Sequence, residues 1–131
     1  MSKPRTLGDT ELVVSEVVVQ TFGFYPAEES WTPAMNAFET EDGVELFFDL
    51  ADVPRESIRV TAEPGRLIIR GRRVPPQPES EPGHTFRILA MEIDWGPFKR
   101  TIALPRRVRL DAIESRYERG ILRVRLPLRS D

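Results

Sequence analysis

Twelve prolines, at positions 4, 26, 33, 54, 64, 75, 76, 78, 82, 97, 105 and 127, punctuate this chain from end to end. A proline inside a helix removes a backbone donor and clashes with the preceding turn, at a cost of about 3 kcal/mol. A helical bundle would have to fit between these breakers, and few windows are long enough. The chain must be built mainly from strands and turns. Its 131 residues supply one core of ordinary size, not two.

From Met35 onward the apolar pattern has a period of two. Leu46, Phe48 and Leu50 alternate with Glu45, Phe47 and Asp49. Ile58, Val60 and Ala62 alternate with Arg59 and Thr61, and Leu67 and Ile69 with Arg66, Ile68 and Arg70. Phe98, Ile102 and Leu104 share a face with Arg100, and Leu122, Val124 and Leu126 share another. Each run predicts a strand with one face in a core. Glu41-Asp42-Gly43, Glu63-Pro64-Gly65 and Glu118-Arg119-Gly120 supply tight turns between them. Strands at near-even spacing with such turns predict an all-β sandwich. Residues 74–83, VPPQPESEPG, break the rhythm and predict a long loop. HTFRILAME then alternates weakly again, at 84–92. A strand on a long arm can fold back on its own sheet or reach the edge of a second subunit.

Composition removes several kinds of chemistry. With no cysteine there is no disulfide framework, thiol nucleophile or thiolate metal site. One histidine, His84, leaves little for a histidine metal centre or a Ser-His-Asp triad. Neither lysine, Lys3 nor Lys99, lies in a phosphate-binding loop. Carboxylates such as Glu92 and Asp94 have no evident partner constellation. A net charge of −2 selects neither a polyanion binder nor an acidic tail. These features argue against an enzyme and imply no cofactor or metal.

Residues 1–30 carry a net charge of −3 and residues 31–131 a net of +1, so the boundary between a leader and a folded domain is set near Trp31. In the leader, Val13, Val14, Val17 and Val18 can line a short helix capped by Asp9, while the density of valines favours a strand. Phe22, Phe24 and Tyr25 add apolar surface. The segment either packs on its own domain or offers a sticky surface. Its apolar runs are too short and interrupted for a membrane span and lack a signal-peptide cleavage pattern, so a cytoplasmic location is expected.

The order of these motifs resembles the small heat shock protein family of the bacterial type, built on the alpha-crystallin domain. Trp31-Thr32-Pro33 followed by Asn36-Ala37-Phe38 resembles the family's W-x-P start. VELFFDLADVPRESIRV is similar to its hydrophobic strand, turn and next strand, and RLIIRGRR to L-x-I-x-G-x-R. Gly96-Pro97-Phe98-Lys99-Arg100 leading to Leu104-Pro105 resembles G-x-F-x-R…LP. Tyr117-Glu118-Arg119-Gly120-Ile121-Leu122 resembles A-x-x-x-n-G-V-L. Ala51-Asp52 replaces the usual Pro-Gly, where aspartate tolerates left-handed φ; Ser115 replaces the signature's alanine and Arg119 its asparagine.

The resemblance implies an immunoglobulin-like antiparallel β-sandwich over 31–127, preceded by the 1–30 segment and followed by a short tail, 128–131. The family's Ile-x-Ile/Val tail motif is not matched there, so dimers or small assemblies are expected in place of large shells. It implies an ATP-independent holdase that covers the apolar surface of partly unfolded clients, a process needing no bond chemistry. Client-binding candidates are Leu12, Val13, Val14, Val17, Val18, Val19, Phe22, Phe24 and Tyr25 of the leader. A second set, Ile58, Val60, Ile113 and Tyr117, would line a groove between two strands, though Ile58 and Val60 read equally as core. The resemblance places the dimer interface at His84, Thr85, Phe86, Arg87, Ile88, Leu89, Ala90 and Arg100, with 84–92 exchanged between subunits. Arg100 shares a face with Phe98 and Ile102, so a covered guanidinium needs a carboxylate or carbonyl partner. His84 invites a pH switch but reads more simply as solvated. The ten basic groups from Lys99 to Arg129 invite nucleic-acid binding, yet their alternation with acids suits a charged sheet edge better, so no nucleic-acid partner is expected. The competing reading is a CS-domain-like co-chaperone module, which shares the sandwich but would be monomeric and lack the arm.

Overall fold

The computed structural model describes residues 6–7, 12–13, 31–79 and 81–130. Two short strands, β1 (Thr6–Leu7) and β2 (Leu12–Val13), pair antiparallel. Seven more form a sandwich: β3 (Met35–Glu39), β4 (Gly43–Asp49), β5 (Arg59–Glu63), β6 (Arg66–Arg73), β7 (Gly96–Ala103), β8 (Glu114–Glu118) and β9 (Ile121–Pro127). One sheet runs β3-β4-β9-β8 and the other β5-β6-β7, with every pairing antiparallel.

The alternation in the sequence becomes the two inner faces. Leu46, Phe48 and Leu50 from β4 and its end, and Leu122, Val124 and Leu126 from β9, are buried. They meet Val60, Leu67, Ile69 and Phe98 of the other sheet in one core. Outer-face residues of the larger sheet pair charges instead. Arg123 lies 3.0 Å from Glu45, and Arg125 bridges Glu45 at 3.8 Å and Glu114 at 3.3 Å. Each exposed pair adds only about 0–1 kcal/mol, but together they keep the face polar.

All three expected turns form. Thr40 closes the first, donating its amide to the Gly43 carbonyl at 2.7 Å. Pro64 and Gly65, the latter at φ 92°, make the type II pattern between Glu63 and Arg66. Arg119 and Gly120, at φ 51° and 82°, make the third a type I′ turn between register partners Glu118 and Ile121. Asp52 takes the left-handed conformation, φ 65°, in the turn where Pro-Gly is usual in the resembled family.

The strand expected at 84–92 is absent from the single chain, where those residues are irregular. The reason lies in the register. Arg73, the last residue of β6, pairs directly with Gly96, the first of β7. β6 and β7 pair with each other up to that point, and the residues between leave as an arm that pairs with neither strand.

Candidate functional site

The arm gathers the exposed apolar surface. Nine large hydrophobic side chains are exposed among the described residues, and seven of them lie between Val74 and Trp95. Leu89 is 87% exposed and Ile88 62%. Phe86, Met91, Ile93 and Trp95 accompany them, and with Pro75, Pro76 and Pro78 they line an open cleft of about 690 Å³ within the arm itself. Three prolines in four positions stiffen its outgoing limb, because proline fixes φ near −65°. Large exposed apolar patches on a folded chain mark a surface awaiting a partner.

The expected interface residues fall in two places. His84, Thr85, Phe86, Arg87, Ile88, Leu89 and Ala90 are all exposed along the arm. The His84 amide donates to Glu81 at 2.9 Å, closing a turn at the arm's far end. Arg100 sits on β7 away from them, half-buried, donating from Nη1 to the Pro33 carbonyl at 2.8 Å. Its partner is therefore a carbonyl of the segment that leads into β3. Strand β3 is the outer strand of its sheet, paired with β4 on one side only. Ile93 and Trp95, in step with Met91, extend the apolar stretch past the expected boundary at residue 92. Their spacing of two was the signal that could have included them.

The second candidate surface needs correction. Ile58, Val60, Ile113 and Tyr117 are all buried and belong to the core. Tyr117 is a strut between segments. Its hydroxyl lies 2.6 Å from the Leu50 carbonyl and 2.8 Å from that of Val53, so it ties β8 to the turn after β4. Burial, aided by the charge of Asp52, raises its pKa above the ordinary 10.0, against the opposing effects of the Val53 hydrogen bond, Arg55 and Arg73. Side chains packed this way do not form an open groove. In the leader, Leu12 and Val13 form β2, while Val14, Val17, Val18, Val19, Phe22, Phe24 and Tyr25 lie outside the described residues.

At the arm's base two further residues meet: Arg73, not singled out from sequence, and Trp31, read there only as the start of the domain. Arg73 is buried, with its guanidinium 4.3 Å over the Trp31 ring. Its Nε donates to the Asp94 carbonyl and its Nη1 to the Ala51 carbonyl, each at 2.9 Å. Trp31 packs on Phe98 at 5.0 Å between centroids and donates Nε1–H to the Gly96 carbonyl at 2.9 Å. Parity could have revealed Arg73, which falls in step with Leu67 and Ile69 on the inner face.

Comparison with known proteins gives a consistent answer. A family model described as the Hsp20/alpha crystallin family matches residues 36–131. Small heat shock protein C2 of Rickettsia felis is 29% identical over 100 residues, covering 76% of this chain and 62% of that protein. Heat shock protein 16 of Schizosaccharomyces pombe is 32% identical over 96 residues, covering 73% and 66%. The matches thus span a little under two thirds of the length of these curated relatives. Among solved structures, heat shock protein 16.0 from Schizosaccharomyces pombe superposes with a TM-score of 0.65 at 31% identity, covering 76% of this chain and 88% of that one. The hspA of Xanthomonas axonopodis gives 0.63 at 32% identity, covering 76% and 96%.

Proposed function

Because this chain belongs to the Hsp20/alpha crystallin family, we propose that it is a holdase chaperone that binds partly unfolded proteins without ATP and keeps them from aggregating. The observation that carries this reading is the concentration of exposed apolar side chains on an arm that pairs with no strand of its own chain. In this reading the arm docks on a second copy. Its 84–92 stretch becomes an added strand on the free edge of the partner's β3, and Arg100, anchored beside the approach to β3, helps fix that edge. Fully burying one apolar side chain of this size contributes about 1.5–3 kcal/mol. A handful buried together outweighs all but the largest values for the cost of association, about 4–15 kcal/mol. The leader, 1–30, supplies the client-gripping surface ahead of the 31–127 domain. Client capture is then burial of apolar area, with no proton transfer and no bond cleavage. The site of action is the cytoplasm.

The test is heat aggregation of a model client with light-scattering mass measured alongside. Suppression of turbidity at near-stoichiometric ratio, unchanged by ATP, is expected, with the chaperone a dimer or small oligomer. Deleting 84–92 should yield monomers. A solitary wild-type chain that lets the client turn cloudy refutes the reading.

A further inference from the structure

We propose that Arg73 and Trp31 form a latch that holds the two roots of the arm together and thereby sets how tightly the arm docks on a second copy; the docking half rests on the exchange reading above. The arm leaves at Arg73 and returns at Gly96, which face each other in the β6–β7 register. Arg73 points inward beneath that junction and is only 8% exposed. It joins segments that no strand pairing joins. Nε holds the Asp94 carbonyl, three residues from Met91 on the apolar stretch, and Nη1 holds Ala51 in the turn after β4. Trp31 supplies the ring under the guanidinium and the N–H that holds Gly96. Trp31 also bridges to Phe98. The start of the domain, the β4 turn and the returning limb of the arm thus converge on one pair of side chains.

The chemistry of the pair argues for a specific task. Among the described residues no carboxylate forms an ion pair with Arg73. Its charge is met by two carbonyl dipoles and an indole face. Burying a cation in this way is costly, and an apolar side chain would fill the space with less penalty. What an apolar side chain cannot do is tie two carbonyls on two segments, which the planar fork of arginine does in one fixed geometry. The returning limb lacks a strand ladder until Gly96, so this fork is its anchor. A limb already anchored loses less conformational freedom on docking than a free one.

The decisive variants are Arg73→Lys and Trp31→Phe in the full chain. Lysine keeps the charge but presents one ammonium, which cannot reproduce the fork. Hydrogen exchange of the amides between 91 and 98, Pro97 having none, reads the latch whatever the oligomeric state, with amides of β4 and β9 as internal reference. Sedimentation reads the dimer dissociation constant. For Arg73→Lys we expect exchange at 91–98 to accelerate at least about tenfold with β4 and β9 unchanged, and the dimer to weaken about tenfold. Unchanged exchange at 91–98, or acceleration equal in all strands, overturns the latch. Faster local exchange with an unchanged dimer constant overturns its effect on docking. If Arg73→Lys fails to fold, Trp31→Phe carries the test. It keeps a smaller ring under the guanidinium and loses the Gly96 hydrogen bond together with part of the packing on Phe98. Local acceleration there supports the latch and none overturns it. A wild-type chain that stays monomeric at every concentration defeats the exchange reading, and with it the docking half, while hydrogen exchange still judges the latch by the same two outcomes.

Discussion

Replacing Tyr117 with phenylalanine removes one oxygen atom and leaves the packing volume almost intact. That oxygen lies 2.6 Å from the Leu50 carbonyl and 2.8 Å from the Val53 carbonyl, in a buried setting. Leu50 keeps a second donor, the Val53 amide at 3.1 Å, so its carbonyl stays matched. The Val53 carbonyl loses the hydroxyl outright. Leaving one buried acceptor unmatched costs about 1–3 kcal/mol. The expected fall in melting temperature is several degrees, at roughly 4 °C per kcal/mol for a chain between the small and large domain classes. The pH dependence provides an independent check. Burial raises the phenol's pKa above 10.0 in the folded chain, whereas the unfolded chain titrates near that value. Above it the unfolded state sheds a proton that the folded state retains, so stability falls with rising pH. The hydroxyl's contribution is therefore complete below about pH 10 and is lost as pH climbs through the raised pKa. Urea unfolding followed by tryptophan fluorescence at one fixed chain concentration should show a constant gap between wild type and Tyr117→Phe from about pH 7 to 9. The gap should then narrow above about pH 10, other titrating groups being common to both chains. No gap at neutral pH refutes the strut. A gap that stays constant or widens to about pH 11 refutes the electrostatic reasoning.

Three further outcomes are expected. A Cβ on Gly71 would lie 2.5 Å from the Phe98 ring, which is itself buried, so Gly71→Ala should lose about 1–3 kcal/mol by overpacking, read as a lower urea midpoint. Arg119 holds a left-handed backbone, φ 51°, so Arg119→Gly should stabilise the chain by up to about 1 kcal/mol, read as a higher urea midpoint; a fall would show that its side chain matters more than its φ. Arg100→Gly removes the hydrogen bond to the Pro33 carbonyl beside the approach to β3, and should weaken the dimer and promote aggregation on heating. Unchanged light-scattering mass together with unchanged melting would count against that role.

The fold was legible because a strand's side chains alternate between faces with an exact period of two. The runs at 46–50, 67–69 and 122–126 therefore declared their inner residues directly. The three turns announced themselves through glycine and proline, whose allowed φ values leave few alternatives. The functional surface was only partly legible. The residues at 84–92 alternate as a strand would, yet form none in the single chain, because alternation states what a segment can do and not whether the fold lays it along an edge. Ile58 and Val60 read as surface or core with equal ease, and Ile113 and Tyr117 as groove, because a strand's apolar face looks the same in either setting.

The sequence by itself determined that this chain makes an all-strand sandwich with one long, proline-stiffened excursion, since proline spacing and two-residue periodicity are local properties of the backbone. Only the tertiary structure decided where that excursion is rooted. The β6–β7 register brings Arg73 opposite Gly96, and packing carries Trp31 under the guanidinium from more than forty positions away along the chain. Contacts of that reach depend on how two sheets stack, and no local pattern encodes them.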